Sequence, residues 1–162
     1  MCIRDRLSRV TNGPSANTTE SSSNKIMMKT LDFDASTTEY AQFNVRMPKG
    51  WDEGVITARF LWSSTSSGNV VWGLQGVSLS DDDVIDAAFG GAQTVTDAVT
   101  ATTDLMQTAA TSSITIGGSP SELDLVVFQV YRDAANGSDT LTVDAKLVGV
   151  VINYTTTSIS DA

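Results

Sequence analysis

The sequence predicts an all-β protein that folds as an antiparallel β-sandwich, jelly-roll-like, with one short helix near residues 82–89. From residue 25 onward, apolar and polar residues alternate over several stretches, which is typical of half-buried antiparallel strands. Turns rich in Gly, Asn, Asp and Ser separate these stretches. The chain has 162 residues, a length that suits one domain with its own core.

Four strands are predicted in the first half of the domain. In the second of them, Phe43, Val45 and Met47 share one face, and Pro48-Lys49-Gly50 ends the alternation. A polar turn at 63–69 separates the last two. The predicted strands cover 26–31, 40–47, 55–62 and 70–79.

A different pattern follows at residues 81–90. Acidic residues open this segment, apolar residues follow at helical spacing, and Gly90 closes it. Negative charge at the start and glycine at the end are typical of a short helix. The segment therefore predicts the helix near 82–89.

The second half of the chain returns to the strand pattern. Three short strands and two long ones are predicted, and Asn136-Gly137 in the loop 133–139 indicates a hairpin between the long ones. The predicted strands cover 93–99, 105–107, 113–116, 125–131 and 141–154.

The N-terminus is set apart from the domain. Residues 1–6, MCIRDR, resemble the translation of a transposon-end adaptor used in sequencing libraries, and we interpret them as a sequencing artefact. This interpretation removes the only cysteine, Cys2, and leaves the natural N-terminus and any signal peptide undetermined. Residues 7–24 are predicted to form an irregular N-terminal arm, 25–156 a single β-sandwich domain, and 157–162 a C-terminal tail.

Composition excludes several classes of function. The absence of His removes Ser-His-Asp and Cys-His nucleophile systems and imidazole-based metal sites. A net charge of −9 without a basic run argues against nucleic-acid binding. No apolar run is long enough to predict a membrane span, and no phosphate-binding glycine motif occurs. No paired carboxylates lie beside the aromatic residues that a glycosidase would use, so the sequence predicts a non-enzymatic protein.

Two acidic segments are candidate Ca²⁺ sites, because Ca²⁺ prefers oxygen ligands. The first surrounds the predicted helix start and the second lies in the predicted hairpin loop. Helix capping and turn chemistry account for both segments without a metal, so we expect neither a metal nor a cofactor. The candidate ligands are Asp81, Asp83, Asp86, Asp133, Asn136 and Asp139.

The tryptophans divide into two groups. Trp62 and Trp72 lie within apolar strands, which predicts packing in the core. Trp51 lies in a turn between Pro48-Lys49-Gly50 and Asp52-Glu53-Gly54, so it is the candidate ligand-binding aromatic. Exposed aromatic residues on a β-sandwich are typical of sugar binding.

Several motifs resemble a family of small proteins of tailed phages and prophages. The resemblance covers about residues 24–155. Its motifs are NKIMMKTLDFD at 24–34, MPKGWDEG at 47–54, VWGLQGV at 71–77, SDDD at 80–83, AFG at 88–90, FQVYRD at 128–133 and NGSDTL at 136–141.

This resemblance implies a virion-associated structural protein of the tail or fibre region, with no catalytic residues. The implied location is the virion, assembled in the host cytoplasm, and the implied partners are other virion proteins. The alternative is a glycan-binding β-sandwich module used in host recognition, whose partner is a glycan of the host surface. Whether Trp51 and the loop tyrosines cluster on one exposed surface distinguishes the two.

The sequence also predicts a homo-oligomer. The segments 70–79 and 141–154 are apolar on both faces, more than one sandwich core requires, and surplus apolar surface marks an interface. The resemblance to phage fibre-region proteins favours a trimer among the closed symmetries.

Overall fold

The protein is described here by a computed structural model that covers the backbone of residues 7–8 and all of residues 11–157. Within this part of the chain ten strands form two five-stranded sheets and no helix occurs. The strands are β1 (Leu7–Ser8), β2 (Ser15–Glu20), β3 (Met27–Phe33), β4 (Glu39–Arg46), β5 (Thr57–Ser63), β6 (Asn69–Leu79), β7 (Gln93–Ala98), β8 (Met106–Gln107), β9 (Leu125–Arg132) and β10 (Ala145–Asn153).

The two sheets confirm the antiparallel β-sandwich that the sequence predicts. Sheet A has the order β1-β4-β9-β6-β7, and sheet B has the order β2-β3-β10-β5-β8. From β3 onward every connection except β6–β7 crosses from one sheet to the other.

The core lies between the sheets and contains three aromatic rings that pack around a fourth, Trp72. Trp72 of β6 contacts Phe33 edge-on at a centroid distance of 5.1 Å, and it also packs against Phe60 and Trp62. All four side chains are fully buried, as the sequence predicts for Trp62 and Trp72. Rings packed in this way contribute more than their buried area alone.

A buried arginine joins the sheets at the end of β9. The guanidinium of Arg132 donates two hydrogen bonds to the Asp139 carboxylate, at 3.0 and 2.8 Å. It also donates to the backbone carbonyls of Phe33, Val143 and Leu141. Since a buried charge is tolerated only when paired and hydrogen-bonded, this arrangement fixes the β9–β10 connection against β3.

The helix predicted near 82–89 is wrong: residues 80–90 form a loop of turns. Asp82 has a φ of 65°, which a right-handed helix does not permit, and Ser80 N–H donates to the Asp83 carboxylate at 2.7 Å. Val84 and Ile85 are exposed, so a helix here would have no apolar face to bury.

Two further expectations differ from the structure. The segment 7–24 is not irregular throughout, because β2 pairs with β3 from Ser15 to Glu20 and β1 pairs with β4. The last two strands do not form a hairpin, because β9 lies in sheet A and β10 in sheet B. Residues 1–6 and most of the predicted tail, 158–162, lie outside the described residues.

Candidate functional site

The outer face of sheet A carries a pair of tyrosines. Tyr40 on β4 and Tyr131 on β9 are register partners, and alternation turns both away from the core that their neighbours Ala41 and Val130 enter. Their ring centroids are 5.6 Å apart with an interplanar angle of 39°. Both side chains are partly exposed, so this pair, the tyrosine platform, offers aromatic surface to a ligand.

A glycine on the neighbouring strand makes the platform possible. Gly73 of β6 is the register partner of Tyr131 on the other side. A Cβ at Gly73 would lie 2.2 Å from Cζ of Tyr131, so the phenol ring lies directly over the glycine backbone. Any other residue at this position would displace the ring, because real contacts of this kind are never so short.

A row of three amides lies beside the platform. Gln42 of β4, Gln129 of β9 and Gln75 of β6 are successive register partners on the same outer face. The Gln75 amide N–H donates to the Gln129 side-chain oxygen at 2.7 Å, which orients both groups. Gln129 is buried, whereas Gln42 and Gln75 are partly exposed. This amide row therefore has a buried amide at its centre and a partly exposed amide at each end.

The remaining side chains of this face are a mixture of polar groups and aliphatic ones, and the aliphatic ones lie on β6 and β9. Asn44 is exposed on β4, and Thr94 and Thr96 are exposed on the edge strand β7. Charge is confined to the ends, where Arg46 closes β4 and Asp133 follows β9. Burial, followed by the charge of Asp133, raises the pKa of the Tyr131 phenol, so this group is neutral near pH 7 and can donate and accept hydrogen bonds.

The candidate ligand-binding residue Trp51 does not lie on this face. Its side chain is 2% exposed and packs in the core, and its backbone N–H donates to the Pro48 carbonyl at 3.0 Å. The turn folds inward because residue 51 forms a bridge with Thr156. A buried indole cannot serve as a binding platform, so the expectation for Trp51 is wrong.

The candidate Ca²⁺ ligands are not brought together. Asp81, Asp83 and Asp86 are exposed in the 80–90 loop. In the second segment the Asp139 carboxylate is 1% exposed and bound to Arg132, while the Asn136 amide donates to Asp133 at 3.1 Å.

No group of three or more His, Cys, Asp or Glu side chains in the described part of the chain is placed to hold a metal. The oxygens of the second segment are used by protein donors, which removes the reason for proposing Ca²⁺ there.

The tyrosine platform could have been sought in the sequence. Alternation opposite Phe43 and Val45 already places Tyr40, Gln42 and Asn44 on one face of β4. No local signal shows that β4 and β9 pair in the register that joins Tyr40 to Tyr131, because these residues are far apart in the chain.

In the described residues, no helix is long and apolar enough to cross a membrane.

No protein-family model matches the sequence, and no curated protein matches it. Among solved structures, the chain is similar to the CBM22-2 xylan-binding domain from Paenibacillus barcinonensis. That similarity has a TM-score of 0.52 and 12% identity, and it covers 95% of this chain and 94% of that one.

Two more distant similarities have lower scores. The family 11 carbohydrate-binding module from Clostridium thermocellum gives a TM-score of 0.41 and 9% identity, with 91% of each chain covered. A domain of tailspike protein 4 from bacteriophage CBA120 gives 0.45 and 7% identity, covering 93% of this chain and 19% of that one. At such identities, the similarity to the xylan-binding domain establishes one thing only, which is that this chain has the β-sandwich fold found in carbohydrate-binding modules.

Proposed function

We propose that this protein is a non-catalytic glycan-binding module and that the tyrosine platform and amide row form its binding face. The observation that carries the proposal is the juxtaposition of Tyr40 and Tyr131, 5.6 Å apart, with three register-aligned glutamines. A sugar ring has an apolar face of C–H groups and an equatorial rim of hydroxyls. The tyrosine platform packs against the apolar face of the sugar, and the amide row hydrogen-bonds to its hydroxyls.

The chemistry of each part suits this ligand. A tyrosine ring supplies a flat, rigid apolar surface with a polar tip, and little side-chain entropy is lost when it binds. A glutamine amide both donates and accepts, as each sugar hydroxyl does. The hydrogen bond from Gln75 to Gln129 holds these amides in place before the ligand arrives, which reduces the entropy lost on binding.

The charge of this face favours a neutral glycan over an anionic one. The central side chains, Tyr40, Tyr131 and the amide row, carry no formal charge. The charged group next to the platform is Asp133, whose negative charge acts on the Tyr131 phenol. Because a carboxylate or sulfate on the sugar would be repelled there, neutral oligosaccharides are the expected ligands.

The test is a glycan array followed by calorimetry with the best neutral oligosaccharide. Tyr131→Ala is expected to weaken binding at least tenfold, which corresponds to about 1.4 kcal/mol. Tyr154→Ala is the matched control, because Tyr154 is a tyrosine that is 41% exposed and lies elsewhere, beside Val150 and Ile152. Absence of binding to any glycan, or equal binding by Tyr131→Ala, would refute the proposal.

The biological setting remains the prediction that the phage resemblance supplies. On that prediction the module sits in a virion, in the tail or fibre region, and its ligand is a glycan of the host surface. Mass spectrometry of purified particles from a phage carrying this gene is expected to detect the chain. Absence of the chain from the particles would contradict the virion location, but it would not bear on the glycan-binding proposal.

A further inference from the structure

The outer face of sheet A continues beyond the amide row. Two more rows of register partners follow along the same strands, on the side away from the tyrosine platform, and alternation keeps them on the outer face. Most of their side chains are aliphatic, so we call them the aliphatic rows. The first row consists of Asn44, Val127 and Val77, and the second of Arg46, Leu125 and Leu79.

The aliphatic side chains of these rows lie outside the core. Leu125 is 41% exposed, and Val127 and Leu79 are partly exposed. Val77 is buried, but it does not belong to the apolar cluster between the sheets, and neither do the other three. Apolar side chains grouped on an otherwise polar surface mark a binding surface.

Arg46 places hydrogen-bond donors beside these aliphatic side chains. Its Nε–H donates to the Leu123 carbonyl at 2.9 Å, which holds the guanidinium near the start of β9, where its register partner Leu125 lies. The side chain is exposed and has no ion-pair partner within the described part of the chain. The N–H groups on its two terminal nitrogens are therefore available to a ligand.

The aliphatic rows are too far from the tyrosine platform for one sugar ring to touch both. Leu125 and Tyr131 lie near opposite ends of β9, about 20 Å apart along the strand at about 3.4 Å per residue. A ligand that stacks on the platform and also reaches the aliphatic rows is therefore an oligosaccharide of several units that lies along the strands.

Acetyl groups are the sugar substituents that suit this arrangement. The methyl group of an acetyl is apolar, as Val127 and Leu125 are, and its carbonyl oxygen accepts hydrogen bonds from a guanidinium such as that of Arg46. An unsubstituted hydroxyl placed against the aliphatic side chains would lose its hydrogen bonds to water without replacement, which costs free energy. An acetyl group also adds no charge, in agreement with the neutral ligand expected at the platform.

We propose that the aliphatic rows form a second subsite of the glycan-binding face, which selects oligosaccharides that carry acetyl groups as esters or amides. This inference rests on the proposed function, because the platform and the amide row hold the rest of the ligand. In the complex an acetyl methyl group packs against Val127 and Leu125, and the acetyl carbonyl oxygen accepts a hydrogen bond from Arg46.

An array of neutral oligosaccharides in matched pairs tests this selectivity. The two members of a pair share a backbone and differ in acetyl groups: chitotetraose with cellotetraose, and acetylated with alkali-treated xylo- and manno-oligosaccharides. In every pair that is bound, we expect the acetylated member to bind at least about fourfold more tightly, which is the gain from taking one methyl group out of water. Equal binding of the two members overturns this inference and not the glycan-binding function. Absence of binding to every member refutes both.

An isosteric variant tests whether the aliphatic rows cause the preference. In calorimetry Val127→Thr is expected to lose the preference for the acetylated member and to keep the parent affinity for the unsubstituted one. Val151→Thr is the matched control and is expected to keep the preference, because Val151 is 38% exposed on β10 in the other sheet. Tyr131→Ala is expected to weaken the binding of both members equally. A preference that survives Val127→Thr, or an equal loss of both members in that variant, overturns the inference.

Discussion

Replacing Asp139 by alanine tests the buried ion pair at the end of β9. The change removes two hydrogen bonds from the Arg132 guanidinium and a third from the Val71 backbone N–H, at 3.0 Å. Both charged side chains are at most 1% exposed, so the arginine charge would be left buried without its partner. Breaking a buried pair in this way costs about 3–5 kcal/mol.

The expected loss can be read as a shift in melting temperature. For a chain of this size each kcal/mol lowers Tm by about 2–4 °C, so Asp139→Ala is expected to lower it by about 6–20 °C. Urea unfolding followed by tryptophan fluorescence gives the free energy, provided that the slope with denaturant stays the same. The matched control is Glu20→Ala, which removes an exposed ion pair with Lys25 and is expected to change stability by less than about 1 kcal/mol.

A double variant separates the effect of the buried arginine charge from the effect of the hydrogen bonds that Arg132 donates to backbone carbonyls. Many buried ion pairs can be replaced by apolar residues without loss of stability. Here Arg132 also donates to three backbone carbonyls, and an acceptor left buried without a donor costs about 1–3 kcal/mol. Arg132→Met/Asp139→Ala is therefore expected to be no more stable than Asp139→Ala. A single variant that loses less than about 1 kcal/mol, or a double variant that recovers the parent stability, would refute this reasoning.

Four further outcomes are expected. Trp72→Ala is expected to cost about 3–5 kcal/mol of unfolding free energy in urea, whereas Trp72→Phe costs much less, because the indole N–H has no hydrogen-bond partner among the described residues to lose. Gly73→Ala is expected to displace the Tyr131 ring and weaken calorimetric glycan binding at least about tenfold, with cooperative unfolding retained. The raised pKa of Tyr131 means that the folded state favours the neutral phenol. Its contribution to stability is fully present below the unfolded pKa of about 10 and is lost as pH rises through the folded value, so Tyr131→Phe is expected to flatten the alkaline fall in Tm. Millimolar Ca²⁺ is expected to leave Tm unchanged, since Asp139 is bound to Arg132, and a large rise abolished by Asp139→Ala would contradict this.

Strand positions were predictable because their signal is local. The alternation of apolar residues at 40–47, 70–79 and 125–131 matches β4, β6 and β9 to within about one residue at each end. The period of two depends only on the pleat of the chain and on which face is buried. The sequence therefore also predicted that Trp62 and Trp72 enter the core.

Local sequence signals gave wrong predictions where contacts with distant parts of the chain determine the local structure. The acidic start and glycine end of 81–90 fit a helix, but the apolar residues Val84 and Ile85 are exposed, and the segment forms a loop. Trp51 follows a turn motif, yet residue 51 forms a bridge with Thr156, at the far end of the chain, and its side chain is buried.

The candidate functional site depends on tertiary structure for the same reason. Alternation alone places Tyr40 and Gln42 on the polar face of one strand and Gln129 and Tyr131 on that of another. Only the pairing of β4 with β9 brings the two rings within 5.6 Å, and only the pairing of β9 with β6 puts Gly73 beneath one of them. Which face of a strand a residue occupies follows from a repeat of two residues, whereas strand register is set by contacts between segments that lie roughly sixty to ninety residues apart.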